Sequence, residues 1–396
     1  QGLRSLGSMN LRRNYLSGSI PVSVFNNTPL LAYLNIGNNS LSGLIPTAIG
    51  SLSMLQVLVL QYNQLSGSLP PTIFNMSRLE KLQASDNNLS GPIPFPTGNQ
   101  STIQLISLAF NSFTGRIPPR LAACRELQLL AISGNLLTDH VPEWLAGLSQ
   151  LSSISLAAND LVGTVPAVLS NLTKLTVLDL SYSKLSGMIP LELGKLIQLN
   201  ILHLSANQLT GPFPTSLGNL TKLSLLALDR NLLTGPLPMT LGNLRSLYHL
   251  HIAENHLQGE LDFLSYLSYC RQLQFHDKSM NSFSGSIPSS LLANLSINLL
   301  KFFAEDNNLT GSIPATISNL TNLNQISLAD NQISGTIPDS VMLLENLQEL
   351  HLSMNSLFGP IPGQIGTLKG MVTLSLGGNK ISSSIPNGVG NLSTLQ

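Results

Sequence analysis

Charged side chains are scarce in this chain of 396 residues, and neither sign predominates. Only 10% of the residues are Asp, Glu, Lys or Arg, against about 25% in an average protein. The 19 basic and 19 acidic residues give a formal net charge of zero. Because nucleic acid and anionic membrane surfaces attract basic chains, the composition argues against both as partners.

Long apolar runs, cysteine and catalytic motifs are also scarce or missing. No stretch of about 18 apolar residues is present, so we predict no transmembrane helix in this chain. The opening residues QGLRSLGSMN lack the charged head and apolar middle of a signal peptide. Two cysteines are too few for a disulfide framework. Since no kinase phosphate loop, HRD or DFG motif occurs, we predict neither an enzyme nor a cofactor here.

A repeat of nearly constant period runs through the whole sequence. NYLSGSIP at residues 14–21 returns as NSLSGLIP at 39–46 and, after many further copies, as NSLFGPIP at 355–362. Counted by its asparagine, with Ser183 as a substitute, the template LxxLxLxxNxLxGxIPxxLgxLt occurs sixteen times. Twelve of the fifteen spacings are 24 residues, and the two between Asn255 and Asn307 are 26. A fixed period of this length predicts a repeat architecture.

Each part of the template has a physical role. Alternating leucines such as Leu178 and Leu180 predict a strand with one buried face. The asparagine follows where the chain must turn, and its amide can satisfy backbone groups that would otherwise be buried without partners. A proline such as Pro46 ends the next extended segment because it cannot donate to a ladder. A short helical turn then leads to the next strand.

One repeat cannot bury its apolar side alone, so the copies must stack on a continuous core. We therefore expect a curved solenoid with a parallel sheet on its concave face and short 3₁₀ or helical turns on its convex face. The sequence begins and ends inside repeats. We expect a single domain over residues 1–396, uncapped at both ends, as a fragment of a longer chain.

The LxGxIP segment resembles the plant-specific class of leucine-rich repeat, and the resemblance covers essentially residues 3–396. It implies an α/β repeat fold, the right-handed leucine-rich repeat solenoid. The segment GELDFLSYLSYCRQLQ at residues 259–274 is similar to grass members of one receptor-kinase subfamily. That subfamily includes the flagellin receptor and a bacterial-blight resistance receptor.

This resemblance implies the ectodomain of a plant receptor kinase, located at the extracellular face of the plasma membrane. Such a domain would bind a peptide or a microbial elicitor on its concave face and pair with the ectodomain of a co-receptor kinase. The transmembrane helix and the kinase domain would lie outside this chain. Two alternatives stay open: a receptor-like protein without a kinase, and a secreted inhibitor of a microbial wall-degrading enzyme, although such inhibitors are shorter.

Eleven N-x-[ST] sequons predict N-glycosylation and passage through the secretory pathway. A repeat rich in asparagine, serine and threonine also creates sequons by chance. The acceptor residues are Asn26, Asn38, Asn75, Asn88, Asn99, Asn171, Asn219, Asn294, Asn308, Asn319 and Asn391.

The two cysteines, Cys124 and Cys270, occupy equivalent positions six repeats apart. Six strand spacings amount to roughly 29 Å. A disulfide needs Cα atoms within about 7 Å of each other. We therefore predict two buried free thiols that act as small apolar groups.

The positions six, four, two and one residues before the asparagine are expected to face outward. Repeats five to eight carry mostly small groups there, whereas repeats nine to thirteen concentrate charged, imidazole and aromatic groups. Such groups could hold an extended peptide, although an ordinary solvated face is the alternative. The predicted ligand-binding residues are His203, Asp229, Arg230, His249, His251, Glu254, Lys301, Phe303 and Glu305, accompanied by Asp277, Met280 and Asp306.

Two further interpretations concern the same face. A second, lower-ranked surface consists of Arg12, Arg13, Tyr33, Asn35, Gln61, Tyr62, Lys81 and Gln83. His249 and His251 could bind zinc with Glu254, but metal sites need three or four ligands with supporting partners, so we expect no metal. A role of the two imidazoles in sensing pH is an alternative.

A few positions depart from the template. His276 and Lys278 occupy inward positions that hold Leu or Ile in other repeats. Because a buried unpaired lysine is costly, either the strand is distorted and Lys278 reaches solvent or this repeat is weak. The neighbouring 26-residue spacings favour the distorted strand, which we expect. Asp139 and Ser383 replace the template glycine, and Asp262 replaces its proline; each is expected to weaken its repeat.

Overall fold

A computed structural model describes residues 3–97, 101–292 and 295–396, without the side chains of residues 290 and 291. The chain divides into two compact units, Gln1–Ser186 and Gly187–Gln396. Both are built from one repeating element: a short strand, a turn at the asparagine, a second short strand and a helical turn. The stacked parallel strands and short 3₁₀ turns confirm the predicted leucine-rich repeat solenoid fold.

In the unit Gln1–Ser186, the first strands of the repeats form a parallel sheet, which we call the main sheet of that unit. Corresponding residues pair, so that Leu130 lies beside Ile154 of the next repeat. Leu130 is buried, whereas its neighbours Leu129 and Ala131 are half-buried and face outward. The strands are Ser8–Asn10, Tyr33–Asn35, Val57–Val59, Lys81–Gln83, Leu105–Ser107, Leu129–Ala131, Ser153–Ser155 and Val177–Asp179.

The unit Gly187–Gln396 has a main sheet of the same kind. Its central residues, such as Leu226 and Leu250, pair with one another and are completely buried. The strands are Ile201–His203, Leu225–Ala227, His249–His251, Phe275–Asp277, Lys301–Phe303, Gln325–Ser327, Glu349–His351 and Thr373–Ser375.

The segment after each asparagine forms a second set of parallel strands in both units. In the first unit these are Ser17–Gly18, Ser40–Leu44, Gln64–Ser68, Asn88–Pro92, Ser112–Gly115, Leu136–Leu137 and Val162–Thr164. The strand Lys184–Met188 includes the point at which the chain passes from the first unit to the second. In the second unit they are Gln208–Pro212, Leu232–Gly235, His256–Glu260, Ser282–Ser286, Asn308–Thr310, Ser334–Gly335, Ser356–Gly359 and Lys380–Ile381.

A helical turn begins after the Ile-Pro pair in most repeats, since the fixed φ of proline suits the residue before a helix. The first unit has the α-helix Val22–Asn26 and the 3₁₀ helices Thr47–Ser51, Pro71–Asn75, Pro119–Ala123, Glu143–Gly147 and Ala167–Asn171. The second has the α-helices Leu264–Leu267 and Ser289–Leu292. Its 3₁₀ helices are Leu191–Lys195, Thr215–Asn219, Met239–Asn243, Leu261–Phe263, Ala315–Asn319, Asp339–Leu343, Gly363–Thr367 and Asn387–Asn391.

The template asparagine bonds its own turn to the preceding repeat, as the sequence predicts for an amide in a buried turn. The Nδ2 of Asn63 donates to the carbonyl of Leu60 at 3.0 Å and to the carbonyl of Ile36, one repeat earlier, at 3.1 Å. Its Oδ1 accepts the backbone N–H of Leu41 at 3.0 Å. One side chain thus satisfies three backbone groups, and the pattern recurs along the chain.

Ser183, which stands in the asparagine position of its repeat, makes none of these bonds. Its buried Oγ has no hydrogen-bond partner among the described residues. The one-repeat equivalence with Asn159 indicates that an asparagine here would reach the carbonyls of Leu156 and Leu180 and the N–H of Leu161. We expect Ser183→Asn to raise the free energy of unfolding by about 1–2 kcal/mol, measured by urea denaturation of the full chain. Ser183→Ala is the control and should be nearly neutral; equal stabilities of the two variants would contradict this prediction.

The template glycine adopts a left-handed backbone. Gly115 has a φ of 78°, and Asp139 and Ser383, which replace this glycine in their repeats, have φ values of 79° and 73°. Since a left-handed residue with a side chain costs about 1–2 kcal/mol, this is the physical reason for the expected weakness of those two repeats. The residue just before the asparagine is also left-handed, as in Arg230 and Glu254, which the sequence pattern does not reveal.

The expectation that Lys278 reaches solvent from a distorted strand is wrong. The strand Phe275–Asp277 pairs in register with both neighbouring strands. Lys278 is only 1% exposed, and His276 is buried as well. The repeat therefore keeps its geometry and encloses both polar side chains in the core.

Lys278 is held by weak partners. Its Nζ lies 3.7 Å from the centroid of the Phe302 ring, donates to the Phe303 carbonyl at 3.1 Å, and lies 3.4 Å from Nδ1 of His276. Burial lowers the pKa of Lys278 to about 7, although Asp277 opposes the shift. Burial and the nearby Lys278 lower the pKa of His276 well below its usual value. Among the described residues, the buried Nε2 of His276 has no partner.

Both cysteines are free and buried, which confirms that prediction. Burial raises the pKa of the Cys124 thiol, and it raises the pKa of Cys270 to about 12. Both thiols therefore stay protonated and pack as small apolar groups.

Candidate functional site

The central part of the predicted ligand-binding set lies on three neighbouring strands of the main sheet of Gly187–Gln396. Parallel pairing places His249 beside Phe275, and Phe275 beside Lys301. The next row contains His251, Asp277 and Phe303 in the same order. Because adjacent strands are about 4.8 Å apart, residues far apart in the sequence form one continuous surface here.

A recess of about 290 Å³ opens along the first of these rows, and Phe303 contacts Phe275 from outside its lining. The ring centroid of Phe275 lies 4.6 Å from that of His251, 6.0 Å from that of His249 and 5.8 Å from that of Phe303. Such separations are typical of contacting aromatic rings, so the walls of the recess support one another. We call this site the aromatic recess; its lining residues are His249, His251, Gln274, Phe275, Leu300 and Lys301.

Phe275 is the most central of the residues that sequence reasoning missed. It lies six residues before Asn281, a position already expected to face outward, but an apolar residue there does not stand out among charged ones. Tyr248 and Gln274 were missed because they precede the strand positions considered. Tyr248 donates its hydroxyl proton to Oε1 of Gln274, and its ring lies 4.7 Å from that of His249.

Lys301 is the cation of the aromatic recess. Its Nζ lies 5.7 Å from the ring centroids of both Phe275 and Phe303, within the range of cation–π attraction. Lys301 forms no ion pair with any carboxylate in the described parts of the chain. Its ammonium group is therefore available to a ligand.

Four other predicted charged residues are already engaged. The Nε of Arg230 donates to Oε1 of Glu254 at 2.8 Å, in a partly exposed ion pair at the ends of neighbouring strands. Asp229 accepts a hydrogen bond from Ser205 at 2.5 Å. Glu305 likewise accepts one from Ser327. These groups form a charged margin beside the aromatic recess.

Burial lowers the pKa of both outward-facing histidines, His249 and His251. For His251, the carboxylates of Asp229 and Asp277 oppose the shift, while His249 and His203 add to it. Both rings therefore hold less charge at a given acidity than an exposed histidine does. Their role in sensing pH stays a prediction.

No group of three or more His, Cys, Asp or Glu side chains suited to a metal ion is found within residues 3–97, 101–292 and 295–396.

The second predicted surface lies in Gln1–Ser186. Its Tyr62 side chain is half exposed, and its Lys81 side chain is exposed. Asn35 is an exception, since it is 6% exposed and its amide donates to the Tyr33 hydroxyl at 3.0 Å.

The sequons are mostly accessible. Eight of the described acceptors are exposed: Asn26, Asn75, Asn88, Asn171, Asn219, Asn308, Asn319 and Asn391. Asn38 is half-buried. Asn99 and Asn294 lie outside the described residues. Five of the exposed acceptors end a 3₁₀ helix, and none of those five is in a main-sheet strand: Asn75, Asn171, Asn219, Asn319 and Asn391.

Family models of the leucine-rich repeat match residues 4–65 and also 174–196, 198–220, 322–344, 346–368 and 370–392. The plant peptide hormone receptor RGFR1, solved in complex with RGF2, is 34% identical, with a TM-score of 0.84. The comparison covers 100% of this chain and 70% of that one. The Arabidopsis receptor kinase HAESA, crystallised with the peptide hormone IDA and the co-receptor SERK1, is 32% identical, with a TM-score of 0.75. There the coverage is 99% of this chain and 73% of that one.

The LRR receptor-like serine/threonine-protein kinase EFR of Arabidopsis thaliana is 38% identical over 68 residues. That match spans 17% of this chain and only 6% of the kinase. Among the described residues, no helix is both long and apolar enough to cross a membrane.

Proposed function

Since the chain belongs to the leucine-rich repeat family, whose plant receptor ectodomains match it along its length, we propose that it is the extracellular ligand-recognition domain of a plant receptor kinase. It binds a peptide or a microbial elicitor on the main-sheet face of Gly187–Gln396. The carrying observation is the aromatic recess, in which three in-register strands bring together two histidines, a phenylalanine and a lysine that forms no ion pair within the described residues. Aromatic side chains are enriched at protein interfaces, and a cation beside them can form a charge-assisted hydrogen bond with a ligand.

The partner and the location form part of the same proposal. HAESA was crystallised with a peptide hormone and a co-receptor, and we propose a co-receptor kinase ectodomain as partner here. The domain would act at the outer face of the plasma membrane as one solenoid of sixteen repeats, joined to a transmembrane helix and a kinase domain. The exposed sequons support glycosylation in the secretory pathway. The relatives do not favour a secreted inhibitor of a wall-degrading enzyme.

The grass subfamily that includes the flagellin receptor and a bacterial-blight resistance receptor is our narrower proposal. It rests on residues 259–274, where Asp262 stands in place of the template proline. There the usual 3₁₀ helix is shortened to Leu261–Phe263 and continues as the α-helix Leu264–Leu267. Two extra residues in the repeat are thus accommodated on the helical side rather than in the main sheet.

A four-residue substitution tests the binding face. Peptides would be selected with the full chain from a phage-displayed library of random dodecapeptides, and their affinities measured by calorimetry. We expect Asp229→Ala, Arg230→Ala, His251→Ala and Lys301→Ala together to weaken binding at least about tenfold, since interface energy concentrates in a few residues.

The control removes the same four residue types from elsewhere in the unit. Asp339, Arg245, Lys222 and His256 are exposed and lie outside the main-sheet strands. Their joint replacement by alanine should change affinity less than about twofold. Unchanged affinity of the first variant, or equal losses in both, would remove this face as the binding site.

A further inference from the structure

We propose that the aromatic recess takes an aromatic side chain that stands next to a carboxylate in the bound ligand. This deepens the proposed function and rests on it, because it names the chemistry that the main-sheet face recognises. The two halves of the proposal come from different observations, the walls of the recess and the available cation at its edge.

The walls select an aromatic group. With about 290 Å³, the recess lies at the lower limit of the roughly 300–1,000 Å³ typical of small-molecule pockets, so it suits one large side chain. His251 and Phe275 stand with their rings tilted by 35°, whereas the Phe275 and Phe303 rings are nearly perpendicular, at 88°. These rings already touch one another, so a ligand ring packs against the exposed side of the cluster from within the recess, where His249, His251 and Phe275 offer it offset and edge contacts.

The cation selects a carboxylate. Lys301 makes no ion pair among the described residues, whereas three acidic groups of the predicted set accept hydrogen bonds from other residues. Those acceptors are Asp229 from Ser205, Asp277 from the N–H of Ser279, and Glu305 from Ser327. A carboxylate on the ligand would complete a charge-assisted bond to Nζ beside two aromatic rings, where water screens it less.

Lys301 and Phe275 are side by side in register, and this sets the spacing within the ligand. The ring and the carboxylate must reach neighbouring strands about 4.8 Å apart. A carboxylate on the same residue as the ring meets that requirement, and so does one on the adjacent residue. The carboxylate could thus come from a chain terminus or from an acidic side chain.

Three small probes separate these features. N-acetyl-phenylalanine carries a terminal carboxylate, N-acetyl-Asp-Phe-amide carries one on a side chain, and N-acetyl-Asn-Phe-amide carries none. Their millimolar affinities for the full chain would be measured by saturation-transfer NMR titration. We expect at least one acidic probe to bind about fivefold or more tightly than the neutral one; the tighter of the two identifies the source of the carboxylate.

Two variants assign the effect. Lys301→Met should reduce the advantage of the acidic probes to less than about twofold while leaving the neutral probe bound. Phe275→Ala should weaken all three probes, provided that its thermal midpoint shows a folded protein. Lys222→Met, at an exposed site outside the recess, should change none of them.

Equal affinities of the three probes for the unaltered chain, or no binding by any of them, would overturn the proposal. So would an acidic preference that survives Lys301→Met. Failure here is distinguishable from failure of the proposed function, because library-selected peptides could still bind the main-sheet face without an aromatic residue beside an acid.

Discussion

Replacing Lys278 by leucine is expected to raise the free energy of unfolding of the full chain by about 2–4 kcal/mol near pH 6. Lys278 is enclosed where other repeats carry an aliphatic side chain, and no carboxylate pairs with it among the described residues. Its ammonium group has only a ring face, one carbonyl and a histidine nitrogen as partners there. Leucine removes the buried charge and restores the template packing.

The effect should depend on pH in a defined direction. Lys278 has a pKa of about 7 in the folded chain, below the ordinary lysine value of 10.5. Between these values the unfolded chain binds a proton that the folded chain does not, so stability rises with pH across that window. The full cost is present below about pH 7. The gain from Lys278→Leu should therefore be largest in acid and shrink towards pH 10, leaving only the benefit of apolar packing.

Urea denaturation from pH 5.5 to pH 10 would measure this dependence, with Lys222→Leu as the control. Lys222 is exposed, so its replacement should give a small change that does not vary with pH. A Lys278→Leu variant less stable than the original chain at pH 6 would contradict our account of the core. So would a gain that grows as the pH rises.

Replacing Asn135 by alanine is expected to destabilise the chain by about 3 kcal/mol. Asn135 is 6% exposed, and its Nδ2 donates to the carbonyls of Leu108 and Ile132 at 3.1 and 3.0 Å. Its Oδ1 accepts the N–H of Phe113 at 3.0 Å. Alanine leaves the N–H of Phe113 without its acceptor and removes one of the two asparagine side chains that donate to each of the two carbonyls.

Asn14→Ala is the matched control, at the equivalent asparagine of the first repeat in this chain. Asn14 is exposed and donates only to nearby carbonyls, including that of Leu11 at 3.0 Å. Water can replace those bonds, so we expect a loss below about 1 kcal/mol. Chemical denaturation of both variants would show whether burial decides the difference; equal losses would refute the role given to the asparagine.

The sequence predicts the repeating fold well because each repeat carries the same information. Period, leucine positions and the asparagine together specify strand, turn and core, and a change at one position leaves the neighbouring repeats intact. Lys278 shows the limit of this reasoning. The cost of burying a lysine argues for a distorted strand, but pairing with both neighbours keeps the strand regular, and the Phe302 ring accommodates the ammonium group.

The candidate site is predictable only in part. The template's outward positions are sufficient to place His249, His251, Lys301 and Phe303 on the main-sheet face. Their grouping around Phe275 depends on side-chain directions and strand register, which single-sequence patterns do not contain. The pairing of Arg230 with Glu254 likewise follows from two left-handed residues at the strand ends.

Photoaffinity mapping tests the central claim, that the main-sheet face of Gly187–Gln396 binds the ligand. A library-selected peptide carrying a benzophenone group would be cross-linked to the full chain, and the labelled residues identified by mass spectrometry. The account predicts labels between His249 and Glu305, centred on the strands Phe275–Asp277 and Lys301–Phe303, and competition by the unlabelled peptide. Competable labels confined to the helical turns or to the unit Gln1–Ser186 would contradict it.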